Sequence, residues 1–180
     1  MAEEENWSAA QRKMVEVWEH HMASEFQRKN VAQTLETMVD DGYVYNVPTA
    51  CGGSGSGTHR LGTIEDFYAK TFMPSIPADV EVVALSRTVG SNRLCDEILF
   101  KFTHDAPIPW LLPGVAPTGK RVEIPVVVIV TFRGDKVTSE RIYWDQASVL
   151  VQTGLLERGD LPVTGVENVP QLVQFIASES

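Results

Sequence analysis

The sequence predicts an α+β domain, and three observations carry that expectation. Apolar residues recur at helical spacing from Met14 to Phe72, with breaks that carry capping residues. From residue 79 onward the apolar period changes to two, the period of strands with one face buried. Gly134-Asp135 then interrupts a valine-rich stretch as a two-residue hairpin signal. Helices first and an antiparallel meander after them is an α+β order. A strongly curved sheet wrapped around the N-terminal helices would form a cone, with a pocket at its mouth.

Each element has a local reason. Ser8 with Gln11 makes a capping box, and Met14, Val15, Trp18, Met22 and Phe26 form the buried stripe of a first helix. Asn30 with Gln33 starts a second helix that buries Val31, Leu35, Met38 and Val39. A short extended piece, Tyr43 to Val47, ends at Pro48, and Thr63 caps a third helix carrying Ile64, Phe67, Tyr68 and Phe72. Strands are expected over 80–89, 93–104, 121–132 and 136–145, helices over 146–153 and 170–176. Two irregular stretches, Cys51 to Gly57 and Ala106 to Gly119, are candidates for a lid, for surface loops or for dimer contacts.

Composition bounds the function. At 180 residues the chain suits a single domain, with a core over about 7–156 and a C-terminal extension over 157–180. The formal net charge is −9, with 24 acidic against 15 basic residues, so no basic patch for nucleic acid is expected. Cys51 and Cys95 are too few for a disulfide framework, and neither sits in a Cys-x-x-Cys pair. Glu3 to Glu5 oppose a secretory signal, and no apolar run approaches the roughly 20 residues that span a bilayer. The expectation is a cytoplasmic protein with no membrane and no nucleic-acid partner.

The period of two also assigns faces. A tight turn at Gly134-Asp135 pairs Arg133 with Lys136, hence Ile124 with Asp145 and Val126 with Tyr143. Pairing Phe102 with Val122 extends that face through Asp96, Ile98, Phe100 and His104. The expected inner face is then apolar and carries Asp96, His104, Tyr143 and Asp145. A single bulge would reverse the assignment. Glu97, Leu99, Val127, Ile129, Glu140, Ile142 and Trp144 would form the opposite face, which is also rather apolar, and a homodimer through one sheet face is expected.

The same residues carry a family pattern. Thr103-His104, Pro117-Thr118-Gly119-Lys120, Gly134-Asp135-Lys136-Val137, Glu140, Asp145, Leu150, Gln152 and Gly154 occur in an order that resembles SnoaL-like proteins of the nuclear-transport-factor-2-like superfamily. Met38 to Asp41, Val47 to Thr49, Ser86 to Gly90 and Tyr143 to Leu150 further resemble a subgroup often labelled carboxymethylenebutenolidase or dienelactone hydrolase. The resemblance implies the conical fold and, in the polyketide cyclases, a cofactor-free aldol closure by an aspartate base and a histidine. Asp145 and His104 match those positions. Where cyclases often carry Glu-His-Trp, Glu140 is followed here by Arg141 and Ile142.

Read as residues, Asp145 is a candidate base, since a carboxylate on an apolar wall has its pKa raised; it is equally placed to cap the next helix. His104 is a candidate acid or enolate stabiliser, or a strand-end histidine bonded to its loop. Tyr45, Asn46, His21, Trp110, Tyr143 and Trp144 are candidates for lining the substrate pocket. His21 and Glu25, four apart on one helix face, could supply a two-histidine, one-carboxylate metal site with His104, or form a hydrogen-bonded pair at the edge of the core; no metal or cofactor is expected. Asp96 and Glu97 point to opposite faces, and one is expected to pair with Arg87 or Arg93. No Gly-x-Ser-x-Gly elbow is present, and the glycines from Gly52 to Gly57 lack a phosphate-loop ending. These residues point to cyclisation, isomerisation or dehydration of an apolar, carbonyl-bearing metabolite of polyketide or terpenoid type. The alternative is a non-catalytic binding or scaffold protein.

Overall fold

The computed structural model describes residues 7–47, 49–53 and 62–178. Helix α1 (Ala9–Met22) opens on the expected capping box: the Gln11 amide donates to Ser8 Oγ, and Gln11 Oε1 accepts the Ser8 amide at 2.8 Å. Met14 and Trp18 are buried, and His21 is buried with them. The helix continues as a π-helical turn, Ala23–Gln27. Asn30 caps α2 (Val31–Glu36) by accepting the Gln33 amide at 3.1 Å. This helix stops earlier than its apolar pattern suggests, because Met38 already begins β1 (Met38–Val47). Thr63 caps α3 (Ile64–Asp66), which widens into a second π turn, Phe67–Phe72.

The other strands are β2 (Ala50–Gly53), β3 (Glu81–Val89), β4 (Arg93–Thr103), β5 (Arg121–Arg133) and β6 (Lys136–Trp144). They form one six-stranded sheet in the order β2-β1-β6-β5-β4-β3. Neighbours pair antiparallel, except that β1 runs parallel to β6, a pairing the meander reading did not contain. The curved, open sheet holds the N-terminal helices against its inner face, and the core lies between them. Helix α4 (Gln146–Gln152) follows β6 and ends before Gly154, whose φ of 76° suits glycine. Helix α5 (Val169–Ser178) packs against β3 and β5.

The register corrects one expectation. β4 and β5 pair as read, with Asp96 opposite Val128 and Phe102 opposite Val122. The hairpin also begins as read, with Arg133 opposite Lys136 and Phe132 opposite Val137. A bulge at Thr138 then shifts the register, so Val130 faces Glu140, Val128 faces Ile142 and Val126 faces Trp144. Glu140, Ile142 and Trp144 therefore look inward, while Arg141 and Tyr143 look outward. The extra residue satisfies its own backbone neighbour, since Thr138 Oγ1 donates to the Thr131 carbonyl at 3.0 Å.

The stretch from Ala106 to Gly119 packs into the core. Ile108, Trp110, Leu111 and Leu112 are all buried, and Trp110 meets Phe72 and Phe100 at ring-centroid distances of 5.2 and 6.0 Å. Of the other candidate loop, residues 51–53 belong to β2, and 54–57 lie outside the described residues.

Candidate active site

A narrow cavity of about 60 Å³ runs between the N-terminal helices and the inner face of the sheet. Its walls are aromatic and aliphatic: Trp18, Phe26, Phe67, Phe72, Phe100, Trp110 and Trp144 supply the rings, and Ile98, Ile124, Val126, Val128 and Ile142 the sheet side. Three polar side chains break that lining: Glu25, Asn46 and Glu140.

The two carboxylates belong to a buried centre. Glu25 comes from the first π turn and Glu140 from β6 just beyond the bulge; both are 3% exposed. His21, fully buried on the last turn of α1, lies between them, with Nε2 at 3.1 Å from Glu25 Oε1 and 3.1 Å from Glu140 Oε1. Tyr68, from the second π turn, donates its hydroxyl proton to Glu140 Oε1 at 2.8 Å and lies 3.2 Å from His21 Nε2. π turns widen a helix by one residue and recur at functional sites; here each of the two delivers a member of one cluster.

The far side of the imidazole fixes its protons. The Thr37 hydroxyl donates to the Thr34 carbonyl at 2.6 Å, so it accepts from His21 Nδ1–H, also at 2.6 Å. Nε2 thus faces two carboxylate oxygens. Burial alone would lower the histidine pKa, but the charges of Glu25 and Glu140 outweigh it and raise it to about 10. Burial pushes the Glu25 carboxyl up, and the Tyr68 phenol is pushed well above its usual range by burial and by the two carboxylates. The Trp18 ring stacks on His21 at 5.3 Å. Trp18 is itself anchored, because its Nε1–H donates to Asp96 Oδ2 at 2.8 Å and Arg87 grips the same carboxylate at 2.7 and 2.9 Å. Asp96 thus takes the expected arginine partner, while Glu97 accepts the Ser86 hydroxyl at 3.0 Å.

Asn46 completes the site. It is fully buried on β1, and neither Oδ1 nor Nδ2 has a hydrogen-bond partner among the described residues. Leaving such a group unpaired costs about 1–3 kcal/mol, a cost that an occupant of the cavity would relieve.

The candidates read from the sequence therefore separate. Asn46, Trp110 and Trp144 line the cavity, and His21 stands directly behind its two carboxylates. Tyr45 and Tyr143 lie on the outward side of β1 and β6, Tyr143 being 40% exposed. Asp145 is exposed and caps α4, accepting the Ser148 amide at 3.1 Å. It does not line the cavity, so this placement gives its expected role as base no support. His104 is fully buried outside the cavity lining, with Nδ1 at 3.1 Å from Thr118 Oγ1. Its backbone ties the end of β4 to the Thr118–Lys120 turn through three hydrogen bonds. The structure does not bring His104 and Asp145 together in this cavity. What the sequence reading missed is Glu140 and Tyr68: the phase of Glu140 depends on the bulge, and Tyr68 passes as an ordinary core aromatic. The set of His21, Glu25 and His104 does not assemble; instead His21, Glu25 and Glu140 each place one donor atom within 4.8 Å of the others.

The comparisons with known proteins agree with this geometry at the level of the fold, a curved α+β sheet packed on N-terminal helices. The family model for the SnoaL-like domain matches residues 18–140, and the chain belongs to that family. The narrower hydrolase label finds no support there. No curated protein matches significantly. Among solved structures, a protein of Jannaschia sp. CCS1, provisionally described as a SnoaL-like polyketide cyclase, is 21% identical with a TM-score of 0.61, covering 84% of this chain and 99% of its own. IdmH of Streptomyces antibioticus, provisionally a polyketide cyclase, is 15% identical with a TM-score of 0.54, covering 78% and 98%. AclR of Streptomyces galilaeus, provisionally a hydroxylase, is 18% identical with a TM-score of 0.58, covering 82% and 99%. At these identities the likeness is one of fold. Among the described residues, no helix is long and apolar enough to cross a membrane.

Proposed function

We propose that this chain is a proton-transfer enzyme that cyclises, isomerises or dehydrates an apolar, carbonyl-bearing metabolite in the cavity between its helices and sheet. The observation that carries this reading is the pair of buried carboxyl groups, Glu25 and Glu140, set in an otherwise apolar lining and joined through one histidine. In such surroundings a carboxyl group exchanges protons with carbon near neutral pH, because water does not compete for its charge. Glu25 or Glu140 takes a proton beside the substrate carbonyl. His21 and Tyr68 stabilise the charges left on the pair, and Asn46 offers an N–H to the developing enolate oxygen. The aromatic walls hold the substrate in one conformer, which itself favours ring closure. The neighbouring folds named as polyketide cyclases are consistent with this chemistry.

The test is deuterium exchange. The purified chain, incubated in D₂O with a panel of enolisable cyclic ketones, is expected to speed loss of the α-proton NMR signal. Glu25→Gln and Glu140→Gln are expected to lose that acceleration, each by about 10²–10⁴-fold. Exchange equal to that of a folded double variant sinks the proposal and leaves a ligand-binding protein. The outer sheet face, with Val83 and Tyr143 exposed, is where a homodimer would form, which light scattering on the purified chain decides.

A further inference from the structure

His21, Glu25 and Glu140 pose a problem of lone pairs that proton transfer does not exhaust. Thr37 spends its only proton on the Thr34 carbonyl, which places a hydrogen on His21 Nδ1 and turns the Nε2 position toward the two carboxylates. A neutral imidazole in that setting aims a lone pair at two acceptors. Something positive must sit among the three atoms. A proton is one such species. We propose that a divalent first-row transition-metal ion is another, held by His21 Nε2, Glu25 and Glu140.

Three features fit a cation of that class. The first is spacing: metal–ligand bonds of about 2.0–2.2 Å put neighbouring ligand atoms about 3–3.5 Å apart, from octahedral to tetrahedral geometry. Nε2 lies 3.1 Å from each glutamate oxygen, and all three ligand atoms fall within 4.8 Å of one another. The second is charge, since two carboxylates and a neutral imidazole balance a divalent ion, and a buried site needs that balance. The third is support around the ligands. Thr37 holds the second histidine nitrogen, and Tyr68 donates to Glu140, the outer bonds that fix metal-binding side chains. A mixed nitrogen and oxygen set favours zinc, manganese, iron or cobalt over calcium, which prefers oxygen ligands throughout.

Asn46 gives an independent observation. Its buried carboxamide lines the same cavity as Glu25 and Glu140 and lacks a partner on both atoms among the described residues. On β1 it lies two residues beyond Val44, which pairs with Glu140. Three protein ligands leave coordination positions open toward the cavity, and a water or ligand oxygen there would give Asn46 the partner it lacks. The inference goes beyond the proton-transfer reading and does not depend on it. Metal and transferable proton claim the same lone pairs, so the metal-loaded centre is a state in which carboxylate-driven exchange stops.

The experiment is cobalt(II) titration of the metal-free full chain at pH 7.5, read by visible d–d absorption and checked by elemental analysis after dialysis. One equivalent is expected to bind, and zinc is expected to displace it. Glu140→Gln and His21→Ala are expected to abolish saturable binding. Thr37→Val, which removes only the outer bond, is expected to weaken binding about 10–100-fold. Asp145→Asn leaves it unchanged. Wild-type chain that stays metal-free at millimolar cobalt and zinc overturns the proposal whatever its exchange activity, and so does binding that persists in folded Glu140→Gln and His21→Ala. Because the wild-type titration decides alone, a variant that fails to fold does not rescue the proposal. Deuterium exchange on metal-free chain tests the proton-transfer reading separately.

Discussion

Glu140 and Asp145 show how position within a fold separates two carboxylates five residues apart in sequence. Glu140 is buried against His21 and Tyr68, while Asp145 is exposed and bonded to a helix amide. Glu140→Gln is therefore expected to suppress carbon–proton exchange, whereas Asp145→Asn leaves it intact, because asparagine caps a helix as well as aspartate does. Asp145→Ala should lower stability by about 1 kcal/mol without touching activity, measured by urea denaturation beside the exchange assay. His104 makes a different prediction. Burial lowers its pKa, only partly opposed by Asp105, so the folded chain prefers the neutral ring. Unfolded His104 binds a proton more readily. Its contribution to stability is thus present above its usual pKa of 6.5 and is lost as the pH falls below that value toward its lowered folded one. Thermal melts between pH 7.5 and 5 should fall less steeply for His104→Gln than for wild type, and parallel curves would show that His104 does not carry the acid sensitivity.

At the scale of elements, the sequence was most legible where a local rule decides. Ser8, Asn30 and Thr63 cap the helices they were expected to cap, and β3 to β6 lie within a residue or two of their expected bounds. It was least legible where one residue alters a phase. The bulge at Thr138 leaves the hairpin turn intact and exchanges the faces of β6 beyond it, so Glu140 and Trp144 enter the core and Tyr143 leaves it. Nothing in the apolar alternation marks that bulge, because both faces of β6 carry apolar residues. The two π turns are equally hidden, since Glu25 stays four residues from His21 and Tyr68 stays in an apolar stripe whether the turn is α or π. The Ala106 to Gly119 stretch is a third such case: its prolines suggest a surface loop, yet its apolar residues form one wall of the cavity. Trp110 fills that wall, with its Nε1–H bonded to Ser75 Oγ at 2.9 Å. Trp110→Ala should cost about 3–5 kcal/mol and widen the cavity, and Trp110→Phe much less. A loss under 1 kcal/mol in chemical denaturation would mean that the wall moves freely and acts as a lid.

For the molecule as a whole, the question is how an acidic chain with two rather apolar sheet faces keeps both from water. The inner face is covered by the N-terminal helices and the Trp110 stretch. The outer face is covered in part by the chain's own C-terminal segment: Val166, Val169, Pro170 and Val173 bound a groove against Val83, Leu85 and Leu99. Val169 is buried there, and Ser148 Oγ donates to the Gly165 carbonyl at 3.3 Å, tying the segment to α4. That arrangement separates the outer cover from the cavity, because no described residue lining the cavity lies beyond Trp144. Truncation after Thr164 should therefore leave the proposed ketone-exchange activity of the folded fraction unchanged. It should also lower the melting temperature and expose a strip of β3 and β4 that associates with other copies, seen as rising mass in light scattering. Apolar area of that kind contributes about 25 cal/mol per Å² when it is taken out of water, so association is the stable alternative to the lost helix. If the truncated chain keeps its mass and melting temperature, the segment contributes no cover. If it keeps its mass and loses exchange, the outer face and the cavity are coupled through the sheet, and their separation fails.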